Sequence, residues 1–343
     1  MMNHQPAQIM AMIRSGRLPN EKMLNIGGRP VIVPNPKQSA TSRAYSIQLA
    51  LAFAAIYLVW GSTYLAIRFA VQTLPPLVMM GTRHLAAGIL LLAWLLVRGQ
   101  KLPAPRLWLS ALYGGAFCFL GCHGLVGWAE LRVSSGLTAL LASTLPIWMV
   151  LLARVHGQGS ELTPRVLSGI ALGFAGVGVL IPISFAGGLW DVLSAAAIVI
   201  GEVFWAVGAI YSRGVKSDSS PAMFAAMQMV AGGVLLWATG LAIGEGSRLH
   251  AAAFTTRSVL SLVFLITFGS VAAFTAYTWL LQVCSPALVS THSYVNPLVA
   301  VFLGWALAGE SVTPRTVFGT VIILASVALL SVRRKVVAKV ATR

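Results

Sequence analysis

The sequence predicts an all-α integral membrane protein with ten transmembrane helices, arranged as two inverted five-helix repeats around a central cavity. Composition is the first reason: 57% of the 343 residues are hydrophobic and 9% are charged, whereas about 25% of residues are charged in soluble domains. Apolar runs of helical length also recur through the chain, and a set of motifs recurs about 150 positions later.

The ten helices correspond to apolar runs that can cross a bilayer core of about 30 Å, which takes about 20 helical residues. Because the runs are continuously apolar and do not alternate, a membrane β-barrel is excluded. The predicted spans are 45–70, 76–97, 107–129, 134–153, 165–184, 189–212, 221–243, 258–281, 285–307 and 313–332.

The duplication is visible in two proline motifs. Thr163-Pro164-Arg165 recurs as Thr313-Pro314-Arg315 at a distance of 150 positions, and Pro146 corresponds to Pro297 at 151 positions. Each copy holds five helices, an odd number, so the second copy must enter the membrane in the opposite sense. Inverted repeats of this kind are typical of secondary transporters, with a site near the midplane and access alternating between the two faces.

Basic residues are distributed unevenly between the two faces of the predicted bundle. The two tails and the loops after helices 2, 4, 6 and 8 hold 18 of the 24 basic residues, whereas the opposite loops hold four. The positive-inside rule therefore places both termini in the cytoplasm, which accounts for the net charge of +16 without a nucleic-acid partner. The expected domains are a basic disordered tail at 1–44, a first repeat at 45–184, a second repeat at 189–332 and a basic tail at 333–343.

Arg83 and Glu202 are charged side chains inside predicted spans, where charges are rare and usually face the bundle interior or a cavity. Arg83 lies roughly 10 Å into the membrane, seven residues past Pro76, and either contacts substrate or forms a structural ion pair. An ionised Glu202 would cost about 2.5–3.5 kcal/mol at mid-helix, so we expect it to be protonated or paired with Arg83 or a histidine. It either exchanges protons for a coupled transporter or is a neutral structural residue.

Several polar and aromatic residues are candidates for a cavity wall or a packing seam. Trp60, Ser62 and Tyr64 lie together in helix 1, where small and hydroxyl residues let helices approach closely. Trp205 follows Glu202 by three positions. His123, among the glycines of helix 3, is either a hydrogen-bonded packing residue or a proton carrier.

Helix 9 contains His292, Tyr294, Asn296 and Pro297. Proline removes one helical hydrogen bond and frees a carbonyl, which a membrane tolerates where the carbonyl meets a neighbour or lines a wet cavity. We expect Asn296 and Tyr294 to satisfy that carbonyl, and His292 lies on the same face as Asn296.

A set of motifs, taken together and in order, resembles the ten-helix EamA branch of the drug/metabolite transporter superfamily over about residues 50–332. The motifs are Trp60-Gly61-Ser62-Thr63-Tyr64, Arg83-His84-Leu85-Ala86-Ala87-Gly88, Trp128-Ala129-Glu130, Ser285-Pro286-Ala287, Tyr294-Val295-Asn296-Pro297-Leu298-Val299-Ala300, Gly304 and Gly309-Glu310. The resemblance implies a bacterial inner-membrane exporter of amino acids, other small metabolites or drugs, with transport that is usually proton-driven.

Two positions depart from the pattern of that branch. Glu202 stands where the branch generally has a small residue, and with Trp205 it resembles the first-helix glutamate of the related small multidrug-resistance transporters. His292 stands at a position that is often aromatic or small. A cationic or proton-exchanged substrate therefore becomes a hypothesis for this chain.

The expected function is proton-coupled export by alternating access, without a cofactor. The alternatives are a membrane-embedded enzyme and a non-transporting scaffold, but no nucleophile elbow, His-Glu-x-x-His, carboxylate cluster or P-loop is present in the sequence. We expect no catalytic residue or metal, and a monomer or homodimer in the bilayer with a small-molecule partner. The expected substrate and coupling residues are Trp60, Ser62, Tyr64, Arg83, Glu202, Trp205, His292, Tyr294 and Asn296.

Overall fold

The computed structural model describes residues 22–26, 29–33, 36–155, 163–180, 188–215, 219–284, 289 and 291–331. The chain divides into two compact units, Met1–Leu51 and Ala52–Arg343. In the first unit, strands β1 (Lys22–Ile26) and β2 (Arg29–Val33) pair antiparallel.

This strand pair differs from the expectation that residues 1–44 lack regular structure. The sequence carries a local signal for it, because Val31, Ile32 and Val33 are β-branched and Gly27-Gly28 separates the two runs, a combination typical of a two-residue hairpin. Residues 1–21 and 333–343 lie outside the described residues. The division of the chain into two tails and two repeats stays a prediction.

Within its described residues the chain forms ten helices, numbered α1 to α10. They are α1 (residues 36–71), α2 (Pro76–Val97), α3 (residues 105–129), α4 (residues 135–155), α5 (Pro164–Leu180), α6 (Leu189–Gly214), α7 (Pro221–Ala242), α8 (residues 256–283), α9 (His292–Ala308) and α10 (Pro314–Ser331). Two 3-10 turns, Glu245–Arg248 and Ala251–Ala253, follow α7. The start predicted for helix 9, at 285, lies outside the described residues.

Seven of these helices contain a segment that is long and apolar enough to cross a membrane. The segments are Tyr45–Val71, Pro76–Val97, Pro105–Ala129, Ser135–Val155, Gly188–Gly214, Pro221–Ala242 and Thr256–Tyr277. The apolar parts of α5, α9 and α10 are shorter. The chain is therefore a multi-pass, helical integral membrane protein.

Three helices contain a π-helical segment, in which each turn holds more residues than an α turn. The segments are Ala55–Val59 in α1, Ala116–His123 in α3 and Leu265–Ala272 in α8. A switch between π and α hydrogen bonding leaves backbone groups that need other partners, and π segments often occur at functional sites. Because α3 and α8 are the third helices of the two predicted repeats, their π segments occupy corresponding places.

Close helix contacts in the second unit depend on glycine. A Cβ atom built at Gly233 in α7 would lie 2.6 Å from the Leu85 backbone nitrogen in α2, and one built at Gly115 in α3 would lie 2.8 Å from the Gly232 nitrogen. Gly61 in α1 likewise faces Val299 in α9, at 2.6 Å from a built Cβ to the Val299 Cβ. Without side chains at these positions the backbones approach closely, which drives helix association in lipid.

We expect Gly233→Ala to lower the thermal stability of the purified protein. The new methyl group would meet backbone atoms of α2 that cannot rotate away, and overpacking of this kind costs about 1–3 kcal/mol. Gly178→Ala in α5 is the matched control, because a Cβ there meets no atom within 4 Å and alanine favours helix over glycine. Equal melting temperatures for the two variants would contradict the assignment of α2–α7 as a glycine-dependent contact.

Candidate functional site

The π segment of α8 binds two of the predicted side chains. Trp60 Nε1 donates to the Gly269 carbonyl at 3.1 Å, and Arg83 Nε donates to Ser270 Oγ at 3.1 Å. Arg83 is 5% exposed, and its Nη1 lies 4.0 Å from Met80 Sδ. A guanidinium carries five N–H donors, so Arg83 keeps hydrogen-bonding capacity that no described residue uses.

The π segment of α1 is stabilised by Asn296 of α9. In the orientation that satisfies the amide, its nitrogen donates to the carbonyls of Ile56 (3.0 Å), Tyr57 (3.1 Å) and His292 (3.1 Å). The other amide atom then lies beside His292 Nδ1, at 3.4 Å. Two of these carbonyls belong to α1 and the third to α9, so the amide connects the two helices. That Asn296 and Tyr294 satisfy the carbonyl freed by Pro297 stays a prediction.

Aromatic rings from three helices surround the same region. The Trp60 ring lies 5.1 Å from His292, edge to face, and 5.2 Å from Tyr277, centroid to centroid. Tyr277 and His292 are 6.0 Å apart. Trp60 thus links α1, α8 and α9. Tyr294 lies in α9, and its side chain is outside what the structure describes.

Glu202 and Trp205 of α6 face the π segment of α3. Cys122 Sγ donates to Glu202 Oε1 at 3.8 Å, and Cys118 Sγ donates to the Trp205 carbonyl at 3.9 Å. Glu202 is 6% exposed. Among the described residues the carboxyl forms no ion pair with Arg83 or with a histidine, so that alternative for Glu202 is wrong in this structure.

Two histidines meet beside Trp205. His123 Nδ1 and His84 Nε2 are 2.7 Å apart, and their rings stack at 4.7 Å with an interplanar angle of 21°. The His123 ring also lies 5.1 Å from Trp205. The sequence allows His123 either a packing role or a role in proton transfer. In the structure it is hydrogen-bonded to His84.

A buried carboxyl, Glu130, follows α3. Glu130 is fully buried, and neither carboxyl oxygen has a hydrogen-bond partner among the described residues. Arg68 Nη1 donates to the Glu130 backbone carbonyl, and the charges of Arg68 and, more weakly, Arg83 act on the Glu130 carboxyl. Tyr64 packs nearby and interacts electrostatically with Glu130, Glu202 and Arg83.

Two further carboxylates bind the N-termini of helices. Glu245 accepts from the Leu77 and Val78 amides of α2 at 3.2 and 2.9 Å. Glu310 accepts from the Ser135 and Gly136 amides of α4 at 2.7 and 3.1 Å. Free amides and the helix dipole both favour a carboxylate at such a position.

Comparison with known proteins decides the family. The family model described as "EamA-like transporter family" matches the chain twice, at residues 47–181 and 192–332. The chain belongs to the EamA-like transporter family. It is therefore a membrane transporter, and the two matches cover the two predicted repeats.

Individual relatives agree with this assignment. The chain is 39% identical over 261 residues to the "uncharacterized inner membrane transporter YedA" of Escherichia coli (strain K12), covering 76% of this chain and 82% of that protein. It is 26% identical to the "uncharacterized transporter YvbV" of Bacillus subtilis (strain 168), covering 83% and 92%. A crystal structure at 20% identity superposes with a TM-score of 0.59 over 82% of this chain and 96% of the other, which supports the fold alone.

Most predicted residues of this EamA-like transporter fall into two clusters. Trp60, Arg83, His292 and Asn296 surround the π segments of α1 and α8, whereas Glu202 and Trp205 contact that of α3. Ser62 belongs to neither cluster. Its hydroxyl donates to the Val59 carbonyl at 2.8 Å, and it lines a groove of about 250 Å³ between α1, α8 and α9. The groove contains none of the other eight predicted residues.

Sequence reasoning did not assign Glu130, His84 and Ser270 to the site. A signal existed for His84, which directly follows Arg83 in an apolar run. The predicted span of helix 3 ends at residue 129, and a carboxyl at a helix end is expected to reach water. The neighbours of Glu130 in the sequence, Trp128, Ala129 and Leu131, are nevertheless apolar. Ser270 carries no signal, because a serine in a membrane helix usually bonds within its own helix.

We expect Asn296→Leu to lower the free energy of unfolding by about 1–3 kcal/mol, because two buried carbonyls of α1 would lose their amide donor. Thr320→Val is the matched control, since it removes a hydroxyl that donates only to the Thr316 carbonyl of its own helix. Chemical denaturation of both variants in the same detergent measures the difference. If Asn296→Leu were as stable as Thr320→Val, the amide would not stabilise the π segment of α1.

Proposed function

We propose that this chain is a secondary active transporter that exports small metabolites or amphipathic or cationic drugs across the bacterial inner membrane, coupled to protons, by alternating access between two inverted five-helix repeats. Family membership and the double match of the family model support the transport class and the two-repeat architecture. The ten-span topology, with both termini in the cytoplasm, follows from the apolar runs and the positive-inside rule.

The main support for the proposal is that two ionisable side chains, Arg83 and Glu202, are buried. They lie in α2 and α6, one in each segment that the family model matches. A structural charge in a membrane helix is normally paired, yet neither side chain forms an ion pair with a described residue. A transported ion or a polar substrate could therefore form ion pairs or hydrogen bonds with these two side chains.

The charges also indicate a class of substrate. Arg83 retains unused donors for an anionic or polar group, and the carboxyls of Glu130 and Glu202 can bind a cationic group. Tyr64 interacts electrostatically with both carboxyls, and Trp205 packs against the same apolar cluster as Tyr64. Both rings suit an apolar or aromatic part of the substrate. A small molecule with a cationic group, either amino-acid-like or an amphipathic drug, fits this set.

Alternating access is supported by the two carboxylate caps. Glu245 and Glu310 follow residue 192, where the second family match begins, whereas the helix N-termini that they bind lie in the first match. The four hydrogen bonds therefore tie the two matched segments together where α2 and α4 begin. Opening of that face would have to break these bonds.

The alternatives are a membrane-embedded enzyme and a non-transporting scaffold. The family supports a transporter over either, and among the described residues no three His, Cys, Asp or Glu side chains are grouped to hold a metal. The assembly state, monomer or homodimer, stays an expectation.

The coupling role of Glu202 is tested by Glu202→Gln in proteoliposomes with a pH-sensitive dye inside. Wild-type vesicles should respond to members of a panel of amino acids and cationic dyes with substrate-dependent proton movement. Because Gln cannot bind and release a proton, we expect Glu202→Gln to abolish that coupled proton flux.

Asp191→Asn is the control for this experiment, because Asp191 lies in the first turn of the same helix but is partly exposed and pairs with Arg132 at 3.9 Å. It should retain coupled flux. Undiminished flux in Glu202→Gln would refute the coupling role of that residue, and an absence of substrate-dependent flux in the wild type across the panel would count against proton-coupled export itself.

The caps generate a second expectation, for Glu310→Ala. Charge-assisted hydrogen bonds contribute about 1.5–3 kcal/mol each. We therefore expect amide hydrogen exchange in the first turn of α4 to become at least about tenfold faster in this variant. If the caps act together, the increase should reach the first turn of α2 as well as that of α4. Hydrogen exchange with mass spectrometry measures both segments.

Ser134→Ala provides the matched control for the caps. Ser134 caps the same helix, α4, from within, by accepting from the Leu137 amide. It should affect α4 alone. An effect of Glu310→Ala that is likewise confined to α4 would show that the two caps do not form one closure.

A further inference from the structure

The His84–His123 pair is a buried ionisable unit that the proposed function does not use. It joins α2 to α3 through a ring-nitrogen contact of 2.7 Å. Hydrogen bonds donated by nitrogen are rarely shorter than this, and charge-assisted bonds lie at this short end of the range. His84 is 1% exposed and His123 is partly buried.

Each imidazole of the pair has one ring nitrogen left for another partner. His84 Nδ1 is buried and has no hydrogen-bond partner among the described residues. Only one proton can lie between His84 Nε2 and His123 Nδ1, so a neutral pair leaves His84 Nδ1 either an unmatched donor or an unmatched acceptor. A buried polar atom without a partner costs about 1–3 kcal/mol, so either tautomer of the neutral pair is unfavourable at this nitrogen.

The surroundings of the pair control its charge. Arg83, the neighbouring residue, is close enough to act on both rings. On the other packed elements, the ionisable groups are Cys118 and Cys122 in α3, Glu202 in α6 and Tyr64 in α1, while α7 carries none. Phe119 and Trp205 close the remaining sides.

We propose that His84 and His123 together form a proton-binding site that serves transport alongside Glu202. In the step that we propose, a water-borne proton adds to the free nitrogen lone pair of the neutral pair, at His84 Nδ1 or His123 Nε2. No covalent bond of the chain breaks, and the N–H···N bond becomes an N⁺–H···N bond in which the two rings share one positive charge. Release reverses the step and returns the proton to water.

The site can respond to the transport cycle through Arg83. While the pair is enclosed, its burial and the nearby positive charge of Arg83 both oppose a second cation there. Opening of the site to water, or binding of a substrate group that screens the charge of Arg83, weakens that opposition and increases the affinity of the pair for its proton. Glu202 of α6 contacts α3, the helix that carries His123, through Cys122.

The test is nitrogen NMR of full-length protein labelled with 15N-histidine in lipid nanodiscs. The chemical shift of a histidine ring nitrogen reports its protonation, and histidine is the side chain that titrates between pH about 5 and 8. We expect two rings that titrate together and take up one proton between them, with a coupling across the N–H···N bond. If both rings remain neutral over that range, the proposal is overturned and the pair is a packing contact.

Variants assign these signals among the six histidines of the chain. His84→Gln and His123→Gln should each remove the shared titration and reduce proton uptake by one per molecule in a potentiometric titration. His250→Gln, at an exposed position, should leave the shared titration in place. Persistence of the shared titration in either pair variant would also overturn the proposal. The wild-type titration needs no variant, so a variant that fails to fold leaves the test intact.

This inference rests on proton-coupled export for its role in transport, but the NMR readout does not depend on transport. A shared titration in a protein that shows no substrate-dependent proton flux would leave the site standing and refute the proposed function. Coupled flux in a protein whose histidine pair stays neutral would refute the proton-binding site and leave the proposed function standing.

Discussion

The interior of this protein depends on one constraint, the satisfaction of backbone groups in helices that do not keep regular α hydrogen bonding. In lipid, a free carbonyl has no water to bind, so each π segment needs side chains from other helices. Asn296 of α9 supplies donors to α1, and Trp60 of α1 supplies one to α8. These bonds connect α9 to α1 and α1 to α8.

Two of the candidate site residues also lie against π segments. Arg83 binds Ser270 in the π segment of α8, and Glu202 accepts from Cys122 in that of α3. These two π segments occupy corresponding places in the two family matches, and the first match also contains the π segment of α1. Both contacts join side chains, so each buried ionisable group gains one polar partner from the π segment that it faces.

Glycine and carboxylate contacts act at different depths of the bundle. Glycines let backbones of α2, α3 and α7 approach within van der Waals range, which makes that part of the bundle rigid because backbone atoms cannot repack. The caps at Glu245 and Glu310 are polar bonds at the ends of α2 and α4. Such polar bonds at helix ends can exchange for bonds to water, whereas the glycine contacts have no comparable replacement partner in lipid.

The sequence by itself determined the membrane class, the family resemblance and the approximate helix bounds, because apolar runs and proline starts are local properties of the chain. It also identified Arg83 and Glu202, since a charge within an apolar run is visible without a structure. Only the tertiary structure decided their partners, the role of Asn296 and the pairing of His84 with His123. Those contacts join residues far apart in the sequence, and π segments leave no periodic signal. Helix packing alone brings their free backbone groups and polar side chains together.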